Sequence, residues 1–136
     1  MKILIVLPTY NEELVIEKNL RSLFALLPSL IPNDEWRVVI ADNGSSDRTG
    51  QIVASLASTF PQLSLWTTPK KGRGNALREV WMHHDAEVYL YMDADLATDL
   101  QEIPHLLAAT AEAQIVVGSP FGTTNCPQSL LLYCPS

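Results

Sequence analysis

Four short clusters in this chain of 136 residues, Pro8 to Glu12, Asp42 to Asp47, Lys70 to Asn75 and Asp93 to Asp95, hold the side chains best suited to chemistry. Asp93-Ala94-Asp95 follows directly on an apolar run, residues 88–92 (VYLYM). Residues two apart in an extended chain point the same way, so both carboxylates can face one point. Two like charges held close raise one pKa unless a cation neutralises them. Mg²⁺ or Mn²⁺, hard and oxygen-seeking, is the natural counter-charge. Such an ion could bridge to a diphosphate and stabilise charge developing on a departing nucleotide. Taken alone, so short a pattern fits two solvated acids in a strand-to-helix loop better.

Asp42 closes another apolar run and leads into Asn43-Gly44-Ser45-Ser46-Asp47. An acid here can accept hydrogen bonds from a ribose or a base edge, and a structural role is its equal rival. For Ser45, Ser46 and Asp47 the expected role is to satisfy orphan N–H groups of the next helix. Lys70-Lys71-Gly72-Arg73-Gly74 is the only basic cluster. It could supply the cation a nucleotide diphosphate needs, its glycines letting backbone approach closely, whereas for Lys70 a solvated loop is expected. The pattern G-x-x-x-x-G-K-[ST] is absent and Gly72-x-Gly74 lacks a third glycine, which argues against a P-loop NTPase and a dinucleotide dehydrogenase. His83 and His84 read as the polar end of a helix, and Trp36, Trp66 and Trp81 as packing between helices and sheet. Cys126 and Cys134 have no His or acid at ligand spacing and read as ordinary thiols.

The elements that must position these clusters alternate regularly. Strand candidates are residues 2–7 (KILIVL), 36–41 (WRVVIA), 63–67, 88–92 and 115–117. Between them, Ile16, Leu20, Leu23, Phe24 and Leu27 form one helical stripe, expected to end at Pro28. Ile52, Val53, Leu56, Ala57 and Phe60 mark a second helix, and Ala76, Leu77, Val80, Trp81 and His84 a third. A fourth carries Ile103, Leu106, Leu107, Thr110 and Ala111, with Asp99-x-x-Glu102 in the form of a capping box and Pro104 moving the start a residue or two later. Strict strand–helix alternation implies an α/β fold: a mostly parallel, Rossmann-like sheet with helices on both faces. Ligands of such sheets bind beyond the carboxyl ends of the strands, where all four clusters fall.

Composition bounds the partners. Nine Lys and Arg stand against 15 Asp and Glu, a net charge of −6 that argues against a general nucleic-acid binder. All nine cations lie at or before Arg78, giving that part +2 and the remainder −8. No apolar run approaches the ~18 residues of a membrane span, and the start is too short for a signal peptide. A cytoplasmic protein is expected. Residues 119–136 hold three prolines, both cysteines and Leu130-Leu131-Leu132 without a clear period. The expected division is a domain over residues 1–119 and an atypical tail over 120–136.

Pro8-Thr9-Tyr10-Asn11-Glu12, then Asp42-Asn43-Gly44-Ser45-Ser46-Asp47-Arg48-Thr49, then Gly72-Arg73-Gly74-Asn75-Ala76, then Met92-Asp93-Ala94-Asp95-Leu96 resemble, in order and spacing, the family 2 glycosyltransferases. Within that family the likeness is greatest to the polyprenyl (dolichyl) phosphate sugar synthases, over about residues 1–119. The resemblance implies a GT-A fold and a nucleotide-sugar donor of the UDP-glucose or GDP-mannose class. It implies that Pro8, Tyr10, Glu12 and Asp42 hold the nucleoside, that Arg73 lies near the diphosphate, and that Asp93 and Asp95 carry Mg²⁺ or Mn²⁺, Asp93 also touching the donor. The implied acceptor is polyprenyl phosphate, or another glycan or lipid, at a membrane face, with inversion at the sugar carbon.

The sequence departs from the family pattern at three places. Asn43 stands where the block usually has a second acid, and Ala97 where some relatives place a metal-contacting Gln. Pro120 follows Gly118-Ser119 where relatives typically have Arg, and the acceptor half is missing, so the chain reads as C-terminally truncated with no residue matching the acceptor-side base. Two alternatives stand beside transfer: a nucleotide-binding fragment without activity and, more distantly, a haloacid-dehalogenase-like phosphatase, whose D-x-D also sits at a strand end.

Overall fold

The computed structural model describes residues 2–68, 73–92, 101, 103–109, 115–117 and 131–133. Its centre is a sheet whose first strands are β1 (Lys2–Thr9), β2 (Glu35–Asp42), β3 (Leu63–Thr67) and β4 (Val88–Tyr91). β1 is buried from Ile3 to Thr9 without alternation, as a strand covered on both faces must be. β1 pairs in parallel with β2 and with β4, and β2 in parallel with β3. Two further strands, β5 (Ile115–Val117) and β6 (Leu131–Tyr133), complete the order β3-β2-β1-β4-β6-β5.

β6 corrects the expectation for the C-terminal residues. It lies antiparallel to β4 and to β5, so among the described residues β5 joins the sheet through it. A three-residue strand is too short for alternation to show, and the apolar run around Leu131 is its only sequence trace.

The helices are α1 (Ile16–Leu30), α2 (Thr49–Thr59), α3 (Arg73–His83) and α4 (Ile103–Ala109). The stripe expected for α1 is the buried set, Ile16, Leu20, Leu23, Phe24 and Leu27. Pro28 does not end this helix, which runs on to Leu30. Proline this close to the C-terminus removes only one hydrogen bond, and the next turn still closes, Ile31 N–H donating to the Leu27 carbonyl at 2.9 Å. α4 begins at Ile103, later than a cap at Asp99 would start it and in the direction expected from Pro104, which then sits in the first turn, where a helix has no use for its N–H.

Alternate strand residues face opposite helices. Ile3, Ile5, Leu7, Val38, Ile40, Val88 and Leu90 pack with α1, α2 and α4. Leu4, Val6, Val39, Ala41 and Tyr89 pack with Ala76 and Val80 of α3. Helices therefore cover both faces, as the alternation implied. No helix among the described residues is long and apolar enough to cross a membrane.

Candidate functional site: the carboxyl rim of the sheet

β1 and β2 end side by side, Thr9 paired with Asp42, and from there the chain turns into α1 and α2. The two turns are tied to each other. Asp42, 4% exposed, accepts hydrogen bonds from Thr9 Oγ1 at 3.1 Å and Ser45 Oγ at 2.5 Å on Oδ1, and from Ser45 N–H at 3.2 Å on Oδ2. These three hydrogen bonds hold the buried side chain and lock the start of the β2–α2 turn. One lone pair of Oδ2 remains beyond these contacts. These contacts give Asp42 a structural part in the turn.

Asn11 mirrors it from the other turn. Its φ of 52° is in the left-handed region, where Asn is among the few tolerated residues other than glycine. Its Oδ1 accepts from Ser46 N–H at 2.9 Å, Asp47 N–H at 3.3 Å and Ser46 Oγ at 3.3 Å, while its own N–H donates to Ser45 Oγ at 2.9 Å. Next along, Glu12 N–H donates to Thr49 Oγ1 at 2.8 Å, and Glu13 N–H to Asp47 Oδ2 at 3.2 Å. The exchange is reciprocal, since Glu13 Oε2 accepts Arg48 N–H at 3.1 Å. Gly44 supplies the remaining backbone demand, a φ of 74° that a side chain would resist.

Asp47, one residue before the N-cap Arg48, satisfies one orphan N–H of α2 as expected, accepting Thr49 N–H at 2.9 Å and Thr49 Oγ1 at 2.5 Å on Oδ1. Ser45 and Ser46 do not cap; they serve Asp42 and Asn11 instead. Loss of hydration pushes the Asp47 carboxyl up, but hydrogen bonds from the Thr49 hydroxyl and from the Thr49 and Glu13 N–H groups outweigh it and hold the carboxyl below its ordinary value.

Among the expected nucleoside residues, Pro8 is buried opposite Ala41, Tyr10 is half exposed at 51%, and Glu12 is half-buried. The Glu12 carbonyl starts α1, accepting Ile16 N–H at 2.9 Å. Asn43 is buried at 6%, and its side-chain oxygen has no hydrogen-bond partner among the described residues.

β4 delivers its end to the same rim. Met92 N–H donates to the Val6 carbonyl at 3.1 Å, and the chain continues into Asp93. Asp93 and Asp95 lie outside the described residues, as do Lys70, Lys71, Gly72, Asp99, Glu102, Cys126 and Cys134. Arg73 opens α3 at the backbone, and its side chain is likewise outside. Among the described residues no group of three His, Cys, Asp or Glu could hold a metal. Two carboxylates in D-x-D form remain a donor set of the right hardness for Mg²⁺ or Mn²⁺.

At the opposite end of the strands, Lys2, Arg37, Glu35, His83, His84 and Asp85 help to line a cavity of about 330 Å³. It mixes both signs of charge and contains no residue of the four clusters, and it lies at the wrong end of a parallel sheet for the expected chemistry. His83 and His84 close α3 as expected, their Nδ1 atoms on the carbonyls of Glu79 at 2.7 Å and Val80 at 2.9 Å.

Asn11 and Thr49, named above within the family blocks, tie the two turns together, a part the sequence did not assign to them. The one usable signal was residue type, an Asn directly after a strand end, where left-handed backbone is common.

Comparison with known proteins agrees with this geometry. The chain is 30% identical over 122 residues to a dolichol-phosphate mannosyltransferase of Pyrococcus furiosus, an alignment covering 89% of this chain and 34% of that protein. It is 34% identical over 126 residues to a dolichyl-phosphate beta-glucosyltransferase of Trichomonas vaginalis, covering 85% and 39%. The chain thus spans little more than a third of these curated relatives. Among solved structures it is similar to a mannosyltransferase of Pyrobaculum calidifontis in complex with GDP-Man and Mn²⁺, with a TM-score of 0.76 and 21% identity over 97% of this chain and 44% of that one. It is similar also to glucosyl-3-phosphoglycerate synthase of Mycobacterium tuberculosis in complex with UDP, with a TM-score of 0.66 and 19% identity over 98% and 56%. The fold is thereby the GT-A type expected. With residues 4–129 matching the family described as Glycosyl transferase family 2, the chain belongs to that family.

Proposed function

We propose that this chain forms the donor-binding part of a glycosyltransferase that moves a sugar from a UDP- or GDP-sugar to polyprenyl phosphate. The observation that carries the reading is the rim itself: the two family blocks at the ends of β1 and β2 are hydrogen-bonded into one preformed surface, with the end of β4 beside it. Tyr10, Pro8 and Glu12 would hold the nucleoside, with the open lone pair of Asp42 taking one of its donors. Arg73 would meet the diphosphate. Asp93 and Asp95 would hold Mg²⁺ or Mn²⁺, which when bound would offset charge on the leaving diphosphate. An acceptor phosphate oxygen would form the new bond to the sugar carbon as the carbon–oxygen bond to the nucleotide breaks, inverting that carbon. A lipid acceptor would bring the protein to a membrane face, and a cytoplasmic location is part of the proposal. Family membership removes the ground for the phosphatase alternative.

Calorimetric titration of the chain with UDP, GDP, UDP-glucose and GDP-mannose in Mn²⁺ tests the reading. One nucleotide class is expected to bind. Asp95→Asn should weaken it by more than about tenfold, the scale of a lost charge-assisted contact. Absence of binding by every nucleotide would overturn the proposal. Transfer from a radiolabelled donor to polyprenyl phosphate then separates catalysis from binding alone.

A further inference from the structure

We infer that Asn11 is a positioning residue of the donor site, holding Tyr10 and Glu12 in their binding directions by clasping the β2–α2 turn; the inference rests on the donor-site reading above. Tyr10 is half exposed and, among the described residues, makes no hydrogen bond or ring contact of its own. Its direction is set by the backbone, and the next residue is the one non-glycine residue in the described chain with a positive φ. That conformation is retained because Asn11 is bonded at both ends of its own structure. Its N–H is held by Ser45 Oγ, and its Oδ1 takes the N–H groups of Ser46 and Asp47 across 35 and 36 positions of sequence. Glu12, on the other flank, is held through its N–H by Thr49. Asn serves here for two properties together: a side chain that tolerates left-handed backbone and an acceptor that reaches a neighbouring turn. The chemistry served is recognition of a nucleoside, where a surface ordered before the ligand arrives avoids the entropic cost of ordering it on binding.

Asn11→Gly keeps the backbone freedom and removes the acceptor, whereas Asn11→Asp keeps both. Both variants and the wild type are titrated with UDP and GDP in Mn²⁺, in enough salt to screen the charge that Asp adds. Amide hydrogen exchange on the ligand-free proteins reports the clasp directly. The glycine variant is expected to bind about tenfold more weakly, the worth of one or two neutral hydrogen bonds. It should lose protection at Ser46 and Asp47 while Ile5 and Ile40 in the central strands keep theirs. The aspartate variant should recover most of the affinity. A glycine variant that binds like a binding wild type, or an aspartate variant as weak as glycine, overturns the positioning role alone. A wild type that binds neither nucleotide overturns the donor-site reading and this role together.

Discussion

The two faces of the sheet are built differently. On one, α1, α2 and α4 bring Ile16, Leu20, Leu23, Phe24, Leu27, Val53, Leu56, Ile103 and Leu107 against the strands. Phe24 there stacks on Phe60 at 4.7 Å and tilts against Trp36 at 5.3 Å. On the other, among the described residues, α3 contributes Ala76 and Val80 to the fully buried set. Trp66, Leu77, Trp81 and Ala86 pack there half-buried, and mixed contacts join them. Trp66 Nε1 donates to Glu79 Oε2 at 3.0 Å, Thr68 Oγ1 donates to Glu79 Oε1 at 3.2 Å, and the Trp66 ring lies 4.9 Å from that of His83. The division carries over to the site. The turns proposed to hold the nucleoside lead into the deep face through α1 and α2, whereas Arg73, proposed for the diphosphate, starts the helix of the thin one.

The largest expected effect tests the depth of the first face. Leu23→Ala should cost about 2–5 kcal/mol, as large-to-small changes in closed cores do. Val80→Ala on the thin face should cost about 1.6 kcal/mol, from two carbons at about 0.8 each. Urea denaturation of both variants, expressed per carbon removed, sharpens the contrast. An equal or greater loss per carbon at Val80 would show α3 to be as tightly seated as α1.

Next in size is the polar substitute for depth on the thin face. Glu79→Gln keeps an acceptor for one neighbour and turns an amide N–H₂ toward a donor at the other. Since hydrogen bonds to a charged group exceed neutral ones, the cost should be about 1–2 kcal/mol. The near-ultraviolet circular dichroism of Trp66 should change with it. Unchanged stability and an unchanged tryptophan signal would mean that the thin face does not depend on this carboxylate.

What was legible in the sequence follows the same division. The α1 stripe was readable to the residue, because a deep apolar face repeats with the period of the helix. α3 was readable as an element, although only Ala76 and Val80 of its expected stripe are fully buried. Pro28 misled because the rule against proline applies to helix interiors, and its N–H was needed by one carbonyl only. β6 was missed because three residues carry no period and its partner strands are distant in sequence. At the site, the rim position of Tyr10, Glu12 and Asp42 followed from strand ends alone. The clasp did not, since hydrogen bonds between residues more than 30 apart, such as those of Asn11 and Asp47, leave no mark on local pattern.

The smallest expected effect lies at the edge of the deep face, where Asp47 ties the turns before α1 and α2. Its carboxylate accepts from Thr49 through Oδ1 and from Glu13 N–H through Oδ2, and these bonds favour the ionised form over the protonated one. The carboxyl is consequently held below its ordinary value of 3.8. A group lowered on folding adds stability that is fully present above its unfolded value and is lost as pH falls through its folded value. Asp47→Asn keeps an acceptor for Thr49 but turns an amide donor toward Glu13 N–H, so it should be less stable than wild type at neutral pH. That gap should stay constant down to about pH 5 and narrow below it as wild-type Asp47 takes up its proton. Urea midpoints of the two proteins across this range provide the check. A gap that persists unchanged at pH 2, or widens on acidification, would mean that the clasp does not draw on the charge of Asp47, and the deep face would then end at its apolar residues.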